Sequence, residues 1–472
     1  MQSTTIADRS ACHTPNINRL ADEGLLFNRS YTSAAVCSPA RNALLTGAFN
    51  WEFGTYNQPD NSSAISNDPF PDIVTYAQRL SAAGYRLGYN GKWHTSTKRT
   101  PLDFGYDEIG APDRYRGDVA DTPERLGLAR PGESETRVPT KTISWPGSEP
   151  FGLWGYSECE SEDRTLYGEV AAAGIDMIER FSAGAQPWMV EVHFPEGPRG
   201  WPLRKYLERY DPDELPVSPN FHDTFEGKPG LQKRDAETYG DMNEADYREG
   251  LAHYYASFEQ LDAQVGRVLD ALDRSGQSEN TLVIFTADHG APHGAHHMWK
   301  PNFAPYEELY RIPMAMRWPG RIEPGGRTDC LAQLHDIGHT LVDLLELEPL
   351  PHAHGVSLKP LFEDPSRSDW RDMVFAPWYG QNFPLIHRIV VTERYKYVFN
   401  GYDYDECYDL QEDPHELVNI AYDKSRQPET DDMRARLYEL MNRFRDPFGE
   451  NATAPGNPRF LAQRYLPQGR RL

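Results

Sequence analysis

The chain has 472 residues, a length that allows two or three domains and a large buried core. Hydrophobic residues make up 39% and charged residues 25%, as in ordinary globular proteins, and no apolar run is long enough to span a membrane. The 71 acidic and 48 basic residues give a net charge of −23, which would repel nucleic acid and anionic membranes. We therefore expect neither as a partner, whereas a locally basic pocket could still bind a small anion.

The N-terminal segment and the cysteines both favour a cytoplasmic protein. Residues 1–5 contain neither the basic nor the apolar stretch of a signal peptide. The five cysteines are odd in number, widely spaced and without a C-x-x-C pair. This cysteine pattern fits a protein in a reducing compartment better than a protein held together by disulfide bonds.

Apolar periodicity predicts alternating helices and strands through the first two thirds of the chain. A helix starts at Thr14 and Pro15, a capping residue and a first-turn proline, and ends at Gly24. Asp72 is predicted to cap a second helix that ends at Gly84. The elements predicted further along are strand 85–89, helix 165–181, strand 188–192, a long helix with apolar positions from Leu251 to Leu272, strand 281–286 and helix 336–345.

Repeated helix-then-strand units predict an α/β fold, with a mostly parallel sheet and helices on both of its faces. Residues 95–160 and 195–245 are rich in Pro, Gly and charge, and we predict long excursions there over one edge of the sheet. Short strands at 387–392, 395–400 and 406–410 are followed by a helix near 431–444. We therefore predict a larger α/β domain over residues 1–349 and a smaller antiparallel α+β domain over residues 350–472.

The first candidate for chemistry is Cys37. Ser38 is a good helix N-cap and Pro39 a favoured first helical residue, so Cys37 is predicted to lie just before a helix N-terminus, where negative charge is favoured. Arg41 lies one turn into this helix, and its side chain leans back toward Cys37. A lone cysteine would most simply be a buried structural residue, but the helix start and the arginine favour a reactive thiolate or an anion held at position 37.

Two further segments carry polar side chains at strand ends. In Asn90-Gly91-Lys92-Trp93-His94, Lys92 and His94 are two residues apart and would share one face of an extended segment. In Thr286-Ala287-Asp288-His289-Gly290, Asp288 and His289 follow the most hydrophobic strand, where ligand sites of α/β sheets gather. These two could ligate one metal ion. His293, His296 and His297 could form a zinc site, although a solvated loop is the simpler interpretation.

These segments together resemble the sulfatase family of the alkaline-phosphatase-like superfamily. Cys37-Ser38-Pro39-Ala40-Arg41 with Leu45-Thr46-Gly47 is similar to the family motif C-x-P-x-R…L-T-G. Residues 91–94 look like the G-K-W-H motif, and residues 288–290 look like the D-H-G form of the metal-binding motif, a form shared with phosphonate and phosphodiester hydrolases. Residues 406–419 are similar to the structural C-terminal motif of sulfatases, so the resemblance spans residues 14 to 445.

The resemblance implies a formylglycine enzyme that hydrolyses a small anionic ester. Cys37 would be oxidised to formylglycine by a maturation enzyme; one hydroxyl of the hydrated aldehyde would attack sulfur, and the other would expel sulfate. The implied roles are as follows: Arg41 stabilises the diol, Lys92 and Lys300 neutralise the sulfate, His94 handles the diol proton, and Asp288, His289 and residue 37 bind a divalent ion. Calcium is the expected metal, with magnesium and manganese as alternatives; the oligomeric state is left open.

Two segments depart from the family pattern. Relatives begin with an apolar strand bearing one or two metal-binding aspartates, whereas only thirteen residues, with Asp8 as the acid, precede Thr14. We therefore expect an N-terminally truncated member whose metal site lacks ligands. Pro198 stands where relatives carry a histidine that protonates the leaving alcohol. His193 is nearby on the predicted strand, as a candidate substrate-binding residue or a packed core residue.

Three hypotheses follow for the function. The first is a metal-dependent sulfatase, and the second is a phosphonate monoester or phosphodiester hydrolase that uses the same residues. The third is a truncated, non-catalytic relative that at most binds anions. The organic part of the ester is not specified by any motif in the sequence.

Overall fold

The computed structural model describes residues 12–113, 115–144, 149–195, 200–300, 304–381, 384–401 and 403–449. Its α-helices are α1 Pro15–Asp22, α2 Cys37–Thr46, α3 Asn50–Phe53, α4 Tyr76–Ala82, α5 Thr122–Arg125, α6 Leu166–Ser182, α7 Arg204–Leu207, α8 Gly230–Glu237, α9 Glu244–Arg274, α10 Glu307–Tyr310, α11 Asp336–Leu344, α12 Pro360–Glu363 and α13 Gln427–Arg443. Within these residues, none of the helices combines the length and the apolar character that a membrane crossing requires.

The strands form two sheets in the larger part of the chain, one hairpin, and one sheet near the C-terminus. They are β1 Leu25–Tyr31, β2 Arg86–Lys92, β3 Glu108–Asp113, β4 Thr136–Ile143, β5 Phe151–Glu158, β6 Trp188–His193, β7 Val283–Thr286, β8 Arg311–Arg317, β9 Gly326–Thr328, β10 Ala332–Gln333, β11 Met373–Gly380, β12 Pro384–Thr392, β13 Tyr395–Asn400 and β14 Glu406–Asp409.

The α/β fold class is confirmed, and the sheets of the larger part are mixed. Strand β2 pairs in parallel with β3 and β6, and β1 pairs in parallel with β9 and β10. Strand β8 runs antiparallel to both β1 and β7. Parallel neighbours need a long crossover, which α6 supplies before β6, whereas the described residues between β7 and β8 form short helical turns and the chain returns antiparallel.

Helix α9 packs against β7, one of the strands that carry the candidate site. Its N-terminus is capped by Asn243, whose side chain accepts hydrogen bonds from the N–H groups of Ala245 and Asp246. The predicted apolar face is buried, and Leu251, Phe258 and Leu261 belong to one core cluster with residues of α1 and with the partly buried side chains of β7. This packing fixes the position of β7, and residues 288–290 follow at its carboxyl end.

Thr14 is confirmed as the N-cap residue of α1, but the other two helix starts predicted from capping residues need correction. The second helix begins at Tyr76, because Thr75 supplies its cap: the hydroxyl accepts from Gln78 N–H, and the Gln78 side chain bonds back to Thr75 N–H. Helix α2 begins at Cys37 with Val36 as its extended N-cap residue, and the Ser38 hydroxyl donates to the Gln58 side chain instead of capping the helix.

The predicted excursions contain more regular structure than their composition suggested. Residues 95–160 contribute β3 to the parallel sheet and also form the β4–β5 hairpin, which was not predicted. Residues 195–245 hold the short helices α7 and α8. Their Pro and Gly residues mark the turns between these short elements rather than a continuous loop.

The C-terminal part contains a four-stranded antiparallel sheet in the order β11-β12-β13-β14, as predicted for this region. Helix α13 contacts β12 and β13, and Met433 and Leu437 of this helix share a buried cluster with Phe375 and Tyr397 of the sheet. The edge strand β11 was missed by the sequence analysis. The boundary near residue 350 stays a prediction.

Candidate active site

Four chain segments bring the candidate side chains to one place. Helix α2 supplies Cys37 and Arg41, while β2 and β6, which are parallel neighbours, end at Lys92 and His193. Residues 288–289 follow β7 directly. The carboxyl ends of strands and a helix N-terminus thus converge, as ligand sites in α/β folds generally do.

Position 37 is a partly buried point at which negative charge is favoured. Lys92 Nζ donates to Cys37 Sγ at 3.1 Å, and His289 Nε2 lies 3.2 Å from the same sulfur. Burial by itself raises the pKa of the Cys37 thiol, but the charges of Lys92 and His289 outweigh it and hold this pKa well below its usual range. A cysteine with these neighbours is a candidate reactive centre rather than a structural residue.

Arg41 contacts three other groups of the site. Its Nε donates to Asp288 Oδ2 at 3.0 Å, and its Nη1 donates to the Lys92 carbonyl at 2.9 Å and lies 3.3 Å from His193 Nδ1. Sequence reasoning predicted that this guanidinium reaches Cys37; the two groups do interact through their charges, while the hydrogen bonds of Arg41 go to these three groups. The arginine side chain is nearly buried, so the contacts fix its orientation.

Asp288 and His289 form a candidate metal site with residue 37. Their ligand atoms and Cys37 Sγ all lie within 4.8 Å of one another. His289 Nδ1 lies 2.7 Å from the Gly290 carbonyl, which can only accept, so Nδ1 carries a proton and Nε2 is the atom that faces residue 37. Burial raises the pKa of Asp288, but Arg41, His289 and Lys92 lower it far below its usual value, so the carboxylate is ionised.

Only glycine fits at position 290, directly after the two candidate metal ligands. A Cβ atom at this position would lie 1.9 Å from the main-chain oxygen of Glu308, which no side chain can tolerate. The Gly290 N–H also donates to the Leu309 carbonyl at 2.9 Å. The close approach of these two segments keeps Asp288 and His289 at the end of β7.

His94 lies outside the arrangement expected from an extended segment. Strand β2 ends at Lys92, and His94 has a φ of 53°, so the two side chains do not continue on one strand face. His94 Nε2 instead lies 3.1 Å from Asp60 Oδ1. Asp60 is a residue of the site region that the sequence analysis missed, because no spacing links it to residues 90–94.

Lys300 and the histidines before it contact other parts of the molecule. Lys300 Nζ lies 3.8 Å from the centroid of the Phe151 ring, on the unpredicted hairpin. The three histidines have separate neighbours: His293 with Tyr254, His296 with Asp223, and His297 with the Tyr239 carbonyl. In the part of the chain that is described, Cys37, Asp288 and His289 are the one candidate metal group, so these histidines form no zinc site there.

His193 belongs to the site through Arg41, and its other neighbour was missed. His193 Nε2 lies 2.6 Å from Glu191 Oε2, and the imidazole is stacked on the Tyr89 ring at 4.6 Å. Glu191 is two residues before His193 on β6, so the alternation of a strand could have identified the pair. Pro198 and Asp8, the residues at which departures from the family pattern were noted, lie outside the described residues.

Fold and site together define an alkaline-phosphatase-like hydrolase fold, with a candidate nucleophile at a helix start and candidate metal ligands at a strand end. The Sulfatase family profile matches residues 5–347, well over half of the chain, and the profile of the N-sulphoglucosamine sulphohydrolase C-terminal region matches residues 294–443. The chain belongs to the sulfatase family.

A sequence relative agrees with this assignment, and two solved structures share the fold. The choline-sulfatase of Rhizobium meliloti is 29% identical, over 87% of this chain and 78% of its own length. The structure of BT4656 in complex with its substrate D-glucosamine-2-N, 6-O-disulfate superposes with a TM-score of 0.74 at 20% identity, over 94% of this chain and 96% of that chain. The phosphonate monoester hydrolase of Silicibacter pomeroyi gives a TM-score of 0.75 at 20% identity, over 93% and 91%.

Proposed function

We propose that this protein hydrolyses a sulfate ester with a formylglycine formed from Cys37. The observation that carries the proposal is the position of residue 37, whose sulfur is contacted by Lys92 Nζ at 3.1 Å and His289 Nε2 at 3.2 Å. Membership of the sulfatase family supports the same reading. The cysteine sulfur stands in for the oxygen that the modified side chain would place there, beside two groups that stabilise an anion.

Three of the residues present can supply part of the ligand set of a divalent ion, the proposed cofactor. Asp288 offers an ionised carboxylate, His289 offers Nε2, and residue 37 would offer an oxygen after its modification. Oxygen donors suit calcium, the metal we propose first, as well as magnesium and manganese. A bound ion would act as a Lewis acid that stabilises charge on the ester oxygens.

The other side chains position and neutralise the ester. Hydrated formylglycine would supply the attacking hydroxyl, and the Lys92 ammonium would neutralise charge that develops on the sulfate. Arg41 holds the Asp288 carboxylate and the Lys92 main chain in place. His94, held by Asp60, is the candidate for moving the diol proton.

A phosphonate monoester or phosphodiester is the alternative substrate. The observation that favours it is His289, because the D-H-G form at residues 288–290 also resembles that of phosphonate hydrolases. Sulfate and phosphonate monoesters both present anionic oxygens to Lys92, so the contacts seen at residue 37 suit either. Comparing the turnover of an aryl sulfate, a phosphonate monoester and a phosphodiester separates the two functions, and a clear preference for the phosphorus esters would overturn the first choice.

Mass spectrometry of the peptide that contains Cys37 tests the mechanism directly. Protein produced together with a formylglycine-generating enzyme should show the aldehyde in place of the thiol, and that preparation should turn over an aryl sulfate. A thiol that stays unmodified under these conditions would refute the formylglycine mechanism. A modified protein that turns over none of the three esters would favour the non-catalytic relative.

A further inference from the structure

A chain of three side chains runs from the centre of the site into the protein core. Arg41 Nη1 lies 3.3 Å from His193 Nδ1, and His193 Nε2 lies 2.6 Å from Glu191 Oε2. Both nitrogens of the imidazole are therefore engaged, one toward the site and one toward the core. None of the family motifs quoted above includes His193 or Glu191.

Donor and acceptor chemistry fixes the protonation of His193. A guanidinium has only donors, so His193 Nδ1 must accept from Arg41 and carry no proton. The proton of the neutral ring is then on Nε2, where it is donated to the Glu191 carboxylate. Stacking on the Tyr89 ring, with 17° between the planes, holds the imidazole in this orientation.

Glu191 is held as an acceptor by three donors. The Tyr76 hydroxyl donates to Oε1 at 2.5 Å and the Tyr106 hydroxyl at 2.7 Å, while His193 donates to Oε2. Burial raises the pKa of Glu191, but the hydrogen bonds from His193, Tyr106 and Tyr76 outweigh it and lower this pKa below its usual value. The carboxylate thus remains ionised and keeps the His193 proton on Nε2.

We propose that His193, oriented by Glu191, is a positioning residue that fixes the guanidinium of Arg41 for ester hydrolysis. Through Arg41 it acts on the Asp288 carboxylate and on the Lys92 carbonyl, the two groups that the same guanidinium contacts. Because both of its nitrogens are engaged, His193 presents no ring nitrogen to the ester, which differs from the substrate-binding role expected from the sequence. The inference rests on the sulfatase function proposed above.

Three substitutions of His193 distinguish the contact that Nδ1 makes with Arg41 from the contact that Nε2 makes with Glu191. The Asn variant (H193N) keeps an acceptor near the position of Nδ1 and can still bind Arg41, whereas the Gln variant (H193Q) reaches the position of Nε2 and keeps only the Glu191 contact. We expect H193Q and H193A to lower kcat roughly 10- to 100-fold with a smaller change in KM, as loss of an outer partner of an active-site group does. H193N should stay close to wild type.

Turnover is measured per formylglycine, quantified by mass spectrometry in each variant, and thermal unfolding is recorded beside it. H352N, a substitution of an exposed histidine, is the matched control and should behave as wild type. The proposal is overturned if H193N loses as much kcat as H193A, or if H193Q retains more than H193N. The second result would mean that the Glu191 contact, and not the Arg41 contact, is what matters.

A spectroscopic measurement tests the inference without relying on enzyme activity. Nitrogen NMR spectra are recorded for wild-type and H193N protein labelled with ¹⁵N-histidine. The wild-type minus H193N difference spectrum should show one protonated and one unprotonated ring nitrogen near neutral pH. Two protonated nitrogens, or an average of both tautomers, would overturn the positioning role. If wild-type protein turned over neither sulfate nor phosphorus esters, the proposed function would fail, and the difference spectrum would still decide the Arg41–His193–Glu191 geometry.

Discussion

Two groups of buried charges can be compared directly, one at the candidate active site and one where the C-terminal sheet meets α10. The active-site cluster comprises Cys37, Arg41, Lys92, Asp288 and His289, and the C-terminal cluster comprises Glu307, Lys396 and Glu416. In the first, the Asp288 side chain keeps 20% of its surface exposed at the sheet edge. In the second, Lys396 and Glu416 are at most 1% exposed, and Lys396 Nζ lies 2.5 Å from Glu416 Oε1 and 3.1 Å from Glu307 Oε1.

The two clusters differ in their net charge. Two fixed cations, Arg41 and Lys92, are near one carboxylate in the active-site cluster, which leaves positive charge for an anion. In the C-terminal cluster one ammonium faces two carboxyl groups, of which Glu416 holds a proton up to about pH 8, so no positive charge is left over for an anion. The excess positive charge of the active-site cluster indicates a catalytic site, whereas the charges of the C-terminal cluster hold strand β13 against the loop that contains Glu416. Removing a charge should therefore affect activity in one cluster and stability in the other.

The largest expected effect comes from Cys37→Ala. Without the formylglycine precursor, kcat for an aryl sulfate should fall about 10⁴-fold or more, as happens when a covalent nucleophile is removed. The unfolding midpoint should change little, since this side chain is a site group rather than a core contact. Cys159→Ala, at a partly exposed cysteine, is the control and should keep full turnover. Substantial activity in the Cys37 variant would contradict the assignment of the nucleophile.

Substituting the two buried lysines tests the comparison itself. Lys92→Met should lower kcat about 10²- to 10³-fold, as loss of one donor to a developing anion does. Lys396→Met should instead lower the free energy of unfolding by about 3–5 kcal/mol, because it leaves the ionised Glu307 carboxylate without its ammonium partner. Urea unfolding and turnover per folded molecule are measured for both. Equal losses of stability in the two variants would remove the distinction between the clusters.

Chelation should affect the active-site cluster alone. Removing a metal that is present at about 100 times its Kd should lower the unfolding free energy by about 2.7 kcal/mol and abolish turnover, and the matching ion should restore both. Asp288→Asn should lose most of this response, whereas Lys396→Met should respond to the chelator as wild type does. Metal analysis of the purified protein identifies the ion. A response that is undiminished in Asp288→Asn would place the metal elsewhere.

Features set by neighbouring residues could be predicted from the sequence. Residue 37 at a helix start, the long helix with its apolar face, and Asp288 and His289 at a strand end all depend on local patterns. Strand β11 was missed because Pro377 and Gly380 interrupt its pattern, and proline is tolerated on the edge strand where β11 lies.

Contacts between distant segments could not be predicted in this way. The Arg41–His193 contact joins residues 152 positions apart, and the His94–Asp60 contact depends on a residue with positive φ after a strand. The antiparallel return of β8 is likewise a property of the connection rather than of the strand, because the strand pattern is the same for either direction. These features arise from packing of the whole chain, which periodicity and spacing do not encode.

The last expected effect is a pH dependence of stability that belongs to the C-terminal cluster. Burial raises the pKa of Glu416 to about 8; Lys396 opposes the shift, and Glu307 and Glu308 add to it. The native protein therefore holds a proton that the unfolded chain releases above its ordinary glutamate pKa of about 4.3. Stability from this group is complete below that pH and falls by up to about 1.4 kcal/mol per pH unit until pH 8.

Glu416→Gln removes this titration and isolates it. The unfolding free energy of the variant minus that of the wild type should rise between pH 5 and pH 8 and then level off. Urea unfolding of both proteins at each pH measures this difference. Glu439→Gln, at an exposed glutamate of α13, should give a flat difference. A flat difference for Glu416→Gln as well would mean that Lys396 keeps both carboxylates ionised. Unchanged kcat in the variant would show that the C-terminal cluster acts on stability without reaching the active-site cluster.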